Sequence, residues 1–162
     1  MPVEFDSPYQ KLWESGLVQR DAKIVIEVGV NDGRGILALR EYFSEAKIFA
    51  IEENVRDEIY KTSLEELAKI AQDKATLIIE RSPLSFSWPL NYDFCGIDLG
   101  ADPEINFNNI RYWLSYKKPN GVLAIVVPRS TPEKIAKKEQ LIGQLRAHGM
   151  PYQEIYNWFV FC

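Results

Sequence analysis

Histidine is nearly absent and cysteine is scarce: one His and two Cys among 162 residues. His148, the single histidine, leaves no Cys/His spacing for a zinc site and no second imidazole for a Ser-His-Asp arrangement. It falls at the end of the last long helical pattern, where it suits the helix dipole. Cys95 lies inside an apolar strand pattern and reads as a buried thiol, while Cys162 is the last residue, so a reducing, cytoplasmic setting is expected. Positive charge is not in excess: 19 Lys and Arg against 23 Asp and Glu give a net charge of −4. That argues against a surface dedicated to nucleic acid or to anionic membrane. The densest basic stretch, Lys134–Gln140, reads as a solvated helix face. Met1–Arg20 lacks the basic start and apolar run of a signal peptide, and no apolar run reaches bilayer length. Internal repeats and low-complexity linkers are missing too, so a single domain over 1–162 is expected.

What is present is an alternation of strand-like and helix-like segments. Lys23–Gly29, Lys47–Glu52, Ala75–Glu80, Tyr92–Asp98 and Val122–Pro128 read as five apolar strands. Helical patterns cover Gly33–Phe43, Asn54–Gln72 with Asn54 as its cap, Pro103–Tyr116 and Thr131–Gly149. A short helical extension is expected within 1–20. The link Ser82–Asn91 carries Pro83 and Pro89, so its helix is stunted or absent. These features predict an α/β fold, a Rossmann-like doubly wound, mainly parallel sheet covered on both faces. The aromatic tail Pro151–Cys162 predicts a bent strand or tight hairpin at the sheet edge.

In such a sheet ligands bind beyond the carboxyl ends of the strands, where the strand order reverses. The first strand-to-helix junction, "IVIEVGVNDGRGILAL" (Ile24–Leu39), belongs there. Its glycines fall as G-x-x-x-G-x-G, unlike the dinucleotide pattern G-x-G-x-x-G. Short-chain dehydrogenases share that glycine spacing, but their Tyr-x-x-x-Lys pair is missing. Glu27 precedes the first glycine by two residues. The full pattern is E-x-G-x-N-x-G-x-G, formed by Glu27, Gly29, Asn31, Gly33 and Gly35. Asparagine tolerates left-handed backbone angles better than other non-glycine residues, so Asn31 can stand in a glycine position.

The pattern resembles motif I of class I S-adenosylmethionine-dependent methyltransferases, D/E-x-G-x-G-x-G. The resemblance implies a loop that lets the backbone approach the methionine part and ribose of S-adenosylmethionine, with Glu27 facing the loop or the methionine amino group. Glu52, at the end of the second strand, matches the family's ribose-binding acid, with Glu53 as rival. Ser82, at the end of the third strand, matches the polar position beside the adenine. "YDFCGID" (Tyr92–Asp98) resembles the family's fourth strand, and Asp98 would point into the cleft beside the methyl group. "YKKPNGVLAIVV" (Tyr116–Val127) resembles the L-K-P-G-G turn and fifth strand. Within the superfamily these segments look most like the small-molecule O-methyltransferase and surface-sugar methyltransferase branches.

Departures from the family pattern matter as well. Catechol-type members hold magnesium with the acid matching Asp98 and an Asp-Asn pair after the fifth strand. Here that place reads "VVPRS" (Val126–Ser130), so no metal is expected. No histidine follows Asp98, which leaves Asp98 and Asp102 as candidate bases, Asp98 favoured by position. Tyr9, Trp13 and Trp88 either line an acceptor pocket or pack the core. Trp158, Phe159 and Phe161 cover a sheet edge or pair with another copy in a homodimer. Methyl transfer to a small molecule, at a hydroxyl or sugar acceptor, is the first expectation. A non-catalytic binding or assembly module of the same fold is the second, and an NAD-binding oxidoreductase the third.

Overall fold

The computed structural model describes residues 9–31, 33–53, 69–70, 72–85 and 87–162. The helix expected over Asn54–Gln72 falls almost wholly outside them, although Lys69, Ile70 and Gln72 are helical. The described elements run α1 (Gln10–Ser15), β1 (Ile24–Val28), α2 (Arg34–Tyr42), β2 (Lys47–Glu52), β3 (Thr76–Glu80), β4 (Tyr92–Ile97) and α3 (Pro103–Leu114). They continue with β5 (Lys117–Val126), α4 (Pro132–Ala147), β6 (Gln153–Ile155) and β7 (Trp158–Phe161).

Seven strands form one sheet in the order β3-β2-β1-β4-β5-β7-β6. The first five are parallel, and β7 runs antiparallel to both β5 and β6. The order reverses between β1 and β4, so the crevice past their carboxyl ends is the favoured ligand position. The period-two alternation of a strand divides the core in two. Ile26, Val28, Cys95, Ile97, Leu123 and Ile125 pack against Phe107, Ile110 and Trp113 of α3 and Leu141 and Leu145 of α4. On the opposite face Val25, Phe94, Val122 and Ala124 meet Leu12 of α1, Leu39 of α2 and Phe43. Glu27 shares that second face, set between Ala50 of β2 and Gly96 of β4.

Helix ends follow the capping chemistry in the sequence. The Asp102 carboxylate accepts the Glu104 and Ile105 N–H groups at 2.9 and 3.0 Å, and Pro103 follows at the first position of α3. Thr131 accepts the Lys134 N–H at 3.2 Å and precedes Pro132 of α4. Each cap satisfies amides that have no partner within the helix.

One expectation needs correction, and one open choice is decided. The fifth strand was expected over Val122–Pro128 after a "KKPNG" turn, but β5 begins at Lys117. Lys117 sits opposite Tyr92, and the register shifts between Tyr92 and Phe94. Lys117 Nζ donates to the Lys118 and Gly121 carbonyls, and Lys118 Nζ reaches Asp93 at 3.0 Å. Side chains thus hold the irregular segment in the sheet, which turn propensity alone does not register. Of the two forms allowed for the tail, it takes the hairpin, turning at Tyr156 and Asn157, with Tyr156 at φ 55°. Of the two hairpin strands, only β6 is at the sheet edge. β7 lies inside the sheet, so all four of its residues are buried rather than alternate ones.

The aromatic residues belong to the core. Tyr9 stacks on Trp13 and Trp158, with centroids 5.2 and 5.1 Å apart. Trp88 packs edge-on to Phe49 and Trp113. Cys95 is buried, as its apolar strand context required, and Cys162 is exposed. Among the described residues no helix is long and apolar enough to cross a membrane.

Candidate functional site

The glycine loop between β1 and α2 is held on both sides by neighbouring strands. Gly29 donates its N–H to the Ile51 carbonyl at 2.9 Å, and Asp98 donates its N–H to the Val28 carbonyl at 2.9 Å. Gly29 has φ 85°, and a Cβ there would lie well under 3.0 Å from the Asp98 carbonyl oxygen. Both conformation and space therefore demand glycine. Asn31 has φ 51°, the left-handed region expected for it. Gly33, at φ 85°, opens α2 and donates its N–H to the Val30 carbonyl at 3.0 Å.

Three of the sequence-predicted acids meet this loop differently. Glu52 accepts the Val30 N–H through Oε2 at 3.1 Å, tying the end of β2 to the loop. Asp98 accepts the Asn31 side-chain N–H through Oδ2 at 3.1 Å. Glu27 lies underneath rather than in the open crevice. It is 4% exposed, and Oε1 accepts the Tyr9 hydroxyl at 2.8 Å. Its carboxylate fills the space where Gly35 would carry a Cβ. Of the two roles open to Glu27, facing the loop fits this position.

Beside the loop is a cleft of about 390 Å³ lined by Glu52, Glu53, Ser82, Leu84, Leu99 and Asn109, among others. It gathers the carboxyl ends of β2, β3 and β4 against α3. Glu52 and its rival Glu53 both line it, as does Ser82. Glu27, Gly29, Asn31, Gly33, Gly35 and Asp98 are not on its wall; Asp98 adjoins it through Leu99. Its lining mixes carboxylates and a hydroxyl with leucine side chains, as small-molecule sites commonly do.

Sequence reasoning missed two participants. Asn109 lines the cleft from α3, donating Nδ2 to the Ile105 carbonyl at 3.0 Å. Its Oδ1 is buried without a hydrogen-bond partner among the described residues. The signal was present: Asn106 and Asn109 fall in phase with the buried face of α3. Tyr9 was considered only as pocket lining or core, because nothing local links it to an acid 18 residues away.

Desolvation by burial raises the Asp98 pKa, against the Gly100 N–H and the Asn31 amide, which favour the charged form. Folding therefore shifts Asp98 towards its protonated form relative to the unfolded chain. Its contribution to stability is complete below the unfolded-state pKa and is lost as pH rises through the higher folded-state pKa. Asp98→Asn keeps an oxygen for Asn31 and removes the charge. We expect it to stabilise the protein at pH 7 by about 1 kcal/mol. The advantage should vanish near pH 3.5, a comparison that thermal melts across pH would make. An advantage over wild type no larger at pH 7 than at pH 3.5 would sink the prediction. The other candidate base, Asp102, has its Oδ1 committed to the cap of α3. His148 is at the end of α4, its ring 4.8 Å from Phe107 and its Nδ1 2.8 Å from the Gln144 carbonyl oxygen.

No protein-family model and no curated protein matches the sequence. Solved structures do. The chain is similar to a candidate rRNA-methylase from Clostridium thermocellum at 10% identity and a TM-score of 0.71, covering 99% of this chain and 97% of that one. It is similar to a candidate methyltransferase from Thermoplasma acidophilum at 20% identity and a TM-score of 0.65, over 85% of this chain. It spans about half of that protein's length, 55%. The O-methyltransferase TomG from Streptomyces achromogenes, solved with S-adenosylmethionine, matches at 15% identity and a TM-score of 0.64, over 96% of this chain and 79% of that one. Strand order, loop and neighbours agree: this chain has the class I methyltransferase fold.

Proposed function

We propose that the chain binds S-adenosylmethionine across the glycine loop and the adjoining cleft, and methylates a small-molecule acceptor at a hydroxyl or sugar group. The observation that carries this reading is Glu52. One of its oxygens is engaged by the Val30 N–H of the loop, while the residue also lines the cleft. A carboxylate so held can accept from the two hydroxyls of a ribose. Ser82 and Leu99, on the wall of the same cleft, offer polar and apolar contacts for a purine.

S-adenosylmethionine supplies an electrophilic methyl group, so the protein's task is alignment and exclusion of water. Asp98, beside the loop, with a carboxylate that burial makes more basic, is the residue we assign to taking the proton of the acceptor. Asp98→Ala should then lose turnover while retaining cofactor affinity.

Calorimetry with S-adenosylmethionine, S-adenosylhomocysteine and NAD tests the reading. The first two should bind and NAD should not. Glu52→Ala should weaken binding about 10- to 100-fold, the loss of hydrogen bonds to a charged group. Failure of the first two ligands to bind would leave a non-catalytic module of this fold, and binding of NAD alone would favour an oxidoreductase.

A further inference from the structure

Tyr9 is distant from the loop in sequence and adjacent to its support in space. It is 2% exposed, just before α1, and its hydroxyl donates to Glu27 Oε1 at 2.8 Å. Two glycines make room for this pair. A Cβ on Gly96 of β4 would lie 2.7 Å from the Tyr9 hydroxyl oxygen and 2.9 Å from its ring. A Cβ on Gly35, in the first turn of α2, would collide with the Glu27 carboxylate. The phenol, the carboxylate and the start of α2 therefore occupy one closed space beneath the loop. Trp13 and Trp158, stacked on the Tyr9 ring, fix the direction of its hydroxyl. Burial, and then the Glu27 charge, push the Tyr9 pKa well up, so the hydroxyl stays a donor.

We infer that Tyr9 is a positioning residue for the glycine loop: its hydrogen bond orients the Glu27 carboxylate beneath the first turn of α2 and so presets the loop for its ligand. The inference rests on the proposed S-adenosylmethionine site, and it gives the segment ahead of β1 a role in affinity besides packing. Pre-set sites bind more tightly because less ordering remains to be done on binding.

Tyr9→Phe keeps the stacked ring and removes the donor. Tyr42→Phe is the control. Its hydroxyl donates to the Val18 carbonyl at 2.6 Å, and its ring stacks 3.9 Å from Trp13, so it loses a comparable bond in the same aromatic cluster, away from Glu27. Binding of S-adenosylhomocysteine, measured well below the melting temperature of each variant, should weaken about tenfold in Tyr9→Phe. It should stay within about twofold of wild type in Tyr42→Phe. Hydrogen exchange without ligand should quicken over residues 29–37 in Tyr9→Phe alone. Wild-type affinity in Tyr9→Phe, or equal losses in both variants, would overturn the inference. If the wild type does not bind the ligand, the site assignment fails on its own. Exchange then decides whether Tyr9 sets the loop: quickening confined to Tyr9→Phe supports it, and unchanged or shared exchange rejects it.

Discussion

Gly29→Ala should lower the unfolding free energy by about 2–5 kcal/mol, a large fraction of the roughly 5–15 kcal/mol typical of a domain. Two costs combine. The backbone at Gly29 has φ 85°, where a side chain costs about 1–2 kcal/mol. The new methyl would also press on the Asp98 carbonyl oxygen, with the carbonyl carbon at 3.0 Å and Leu99 at 3.2 Å. That oxygen belongs to backbone at the end of β4, next to an N–H already bonded to Val28, and cannot swing aside as a side chain would. Overpacking of this kind costs about 1–3 kcal/mol. Gly100→Ala separates the two contributions. Gly100 has φ 89° but nothing within 4 Å of a Cβ, so only the conformational cost applies. Urea titration of both variants is the measurement. Equal losses would show that the close approach of β1 and β4 contributes nothing.

The same approach explains why the sequence was so readable at this point. Gly29 and Asn31 could be recognised because positive φ and close backbone contact leave few residue choices. Strand and helix identity followed from apolar runs and caps, as Asp102 and Thr131 show. Glu52 and Ser82 could be assigned to strand ends and then to one cleft, because parallel strands bring all their carboxyl ends to the same side. The opaque features depend on contacts without a local signal. Tyr9 reaches Glu27 only after the sheet has formed and Gly96 has left a gap for its ring. The start of β5 depends on lysines binding carbonyls and Asp93 across the bulge. Full burial of β7 depends on its place between β5 and β6, which alternation along one strand does not reveal.

The site also shows where stability is given up. Asp98 is a carboxyl whose charge is disfavoured by burial and only partly offset by Asn31 and the Gly100 N–H. Asn109, on the wall of the adjoining cleft, has a buried Oδ1 without a partner among the described residues. A fold selected for stability alone would remove both. One lies beside the glycine loop and the other beside the cleft, so both costs fall at the proposed site.

Truncating the core behind the cleft should be as damaging as crowding the loop. Trp113→Ala is expected to cost about 3–5 kcal/mol, the usual range for a large aromatic removed from a packed interior. Trp113 is fully buried, with ring centroids 5.8 Å from Trp88 and 5.1 Å from Tyr112, both near perpendicular or tilted. It anchors α3, which supplies Ile105, Asn108 and Asn109 to the cleft wall. Tyr156→Ala, at a residue 58% exposed, should cost under about 0.5 kcal/mol and serves as the comparison in thermal and urea unfolding. Trp113→Phe is more informative still. The Trp113 Nε1 is buried with no hydrogen-bond partner among the described residues. Phenylalanine therefore leaves a smaller void than alanine and also removes an N–H whose burial costs about 1–3 kcal/mol. The two effects oppose each other, so Trp113→Phe should lie within about 1 kcal/mol of wild type. A loss approaching that of alanine would mean that the indole N–H is satisfied in solution, and that Trp113 supports α3 through a polar contact as well as through its volume.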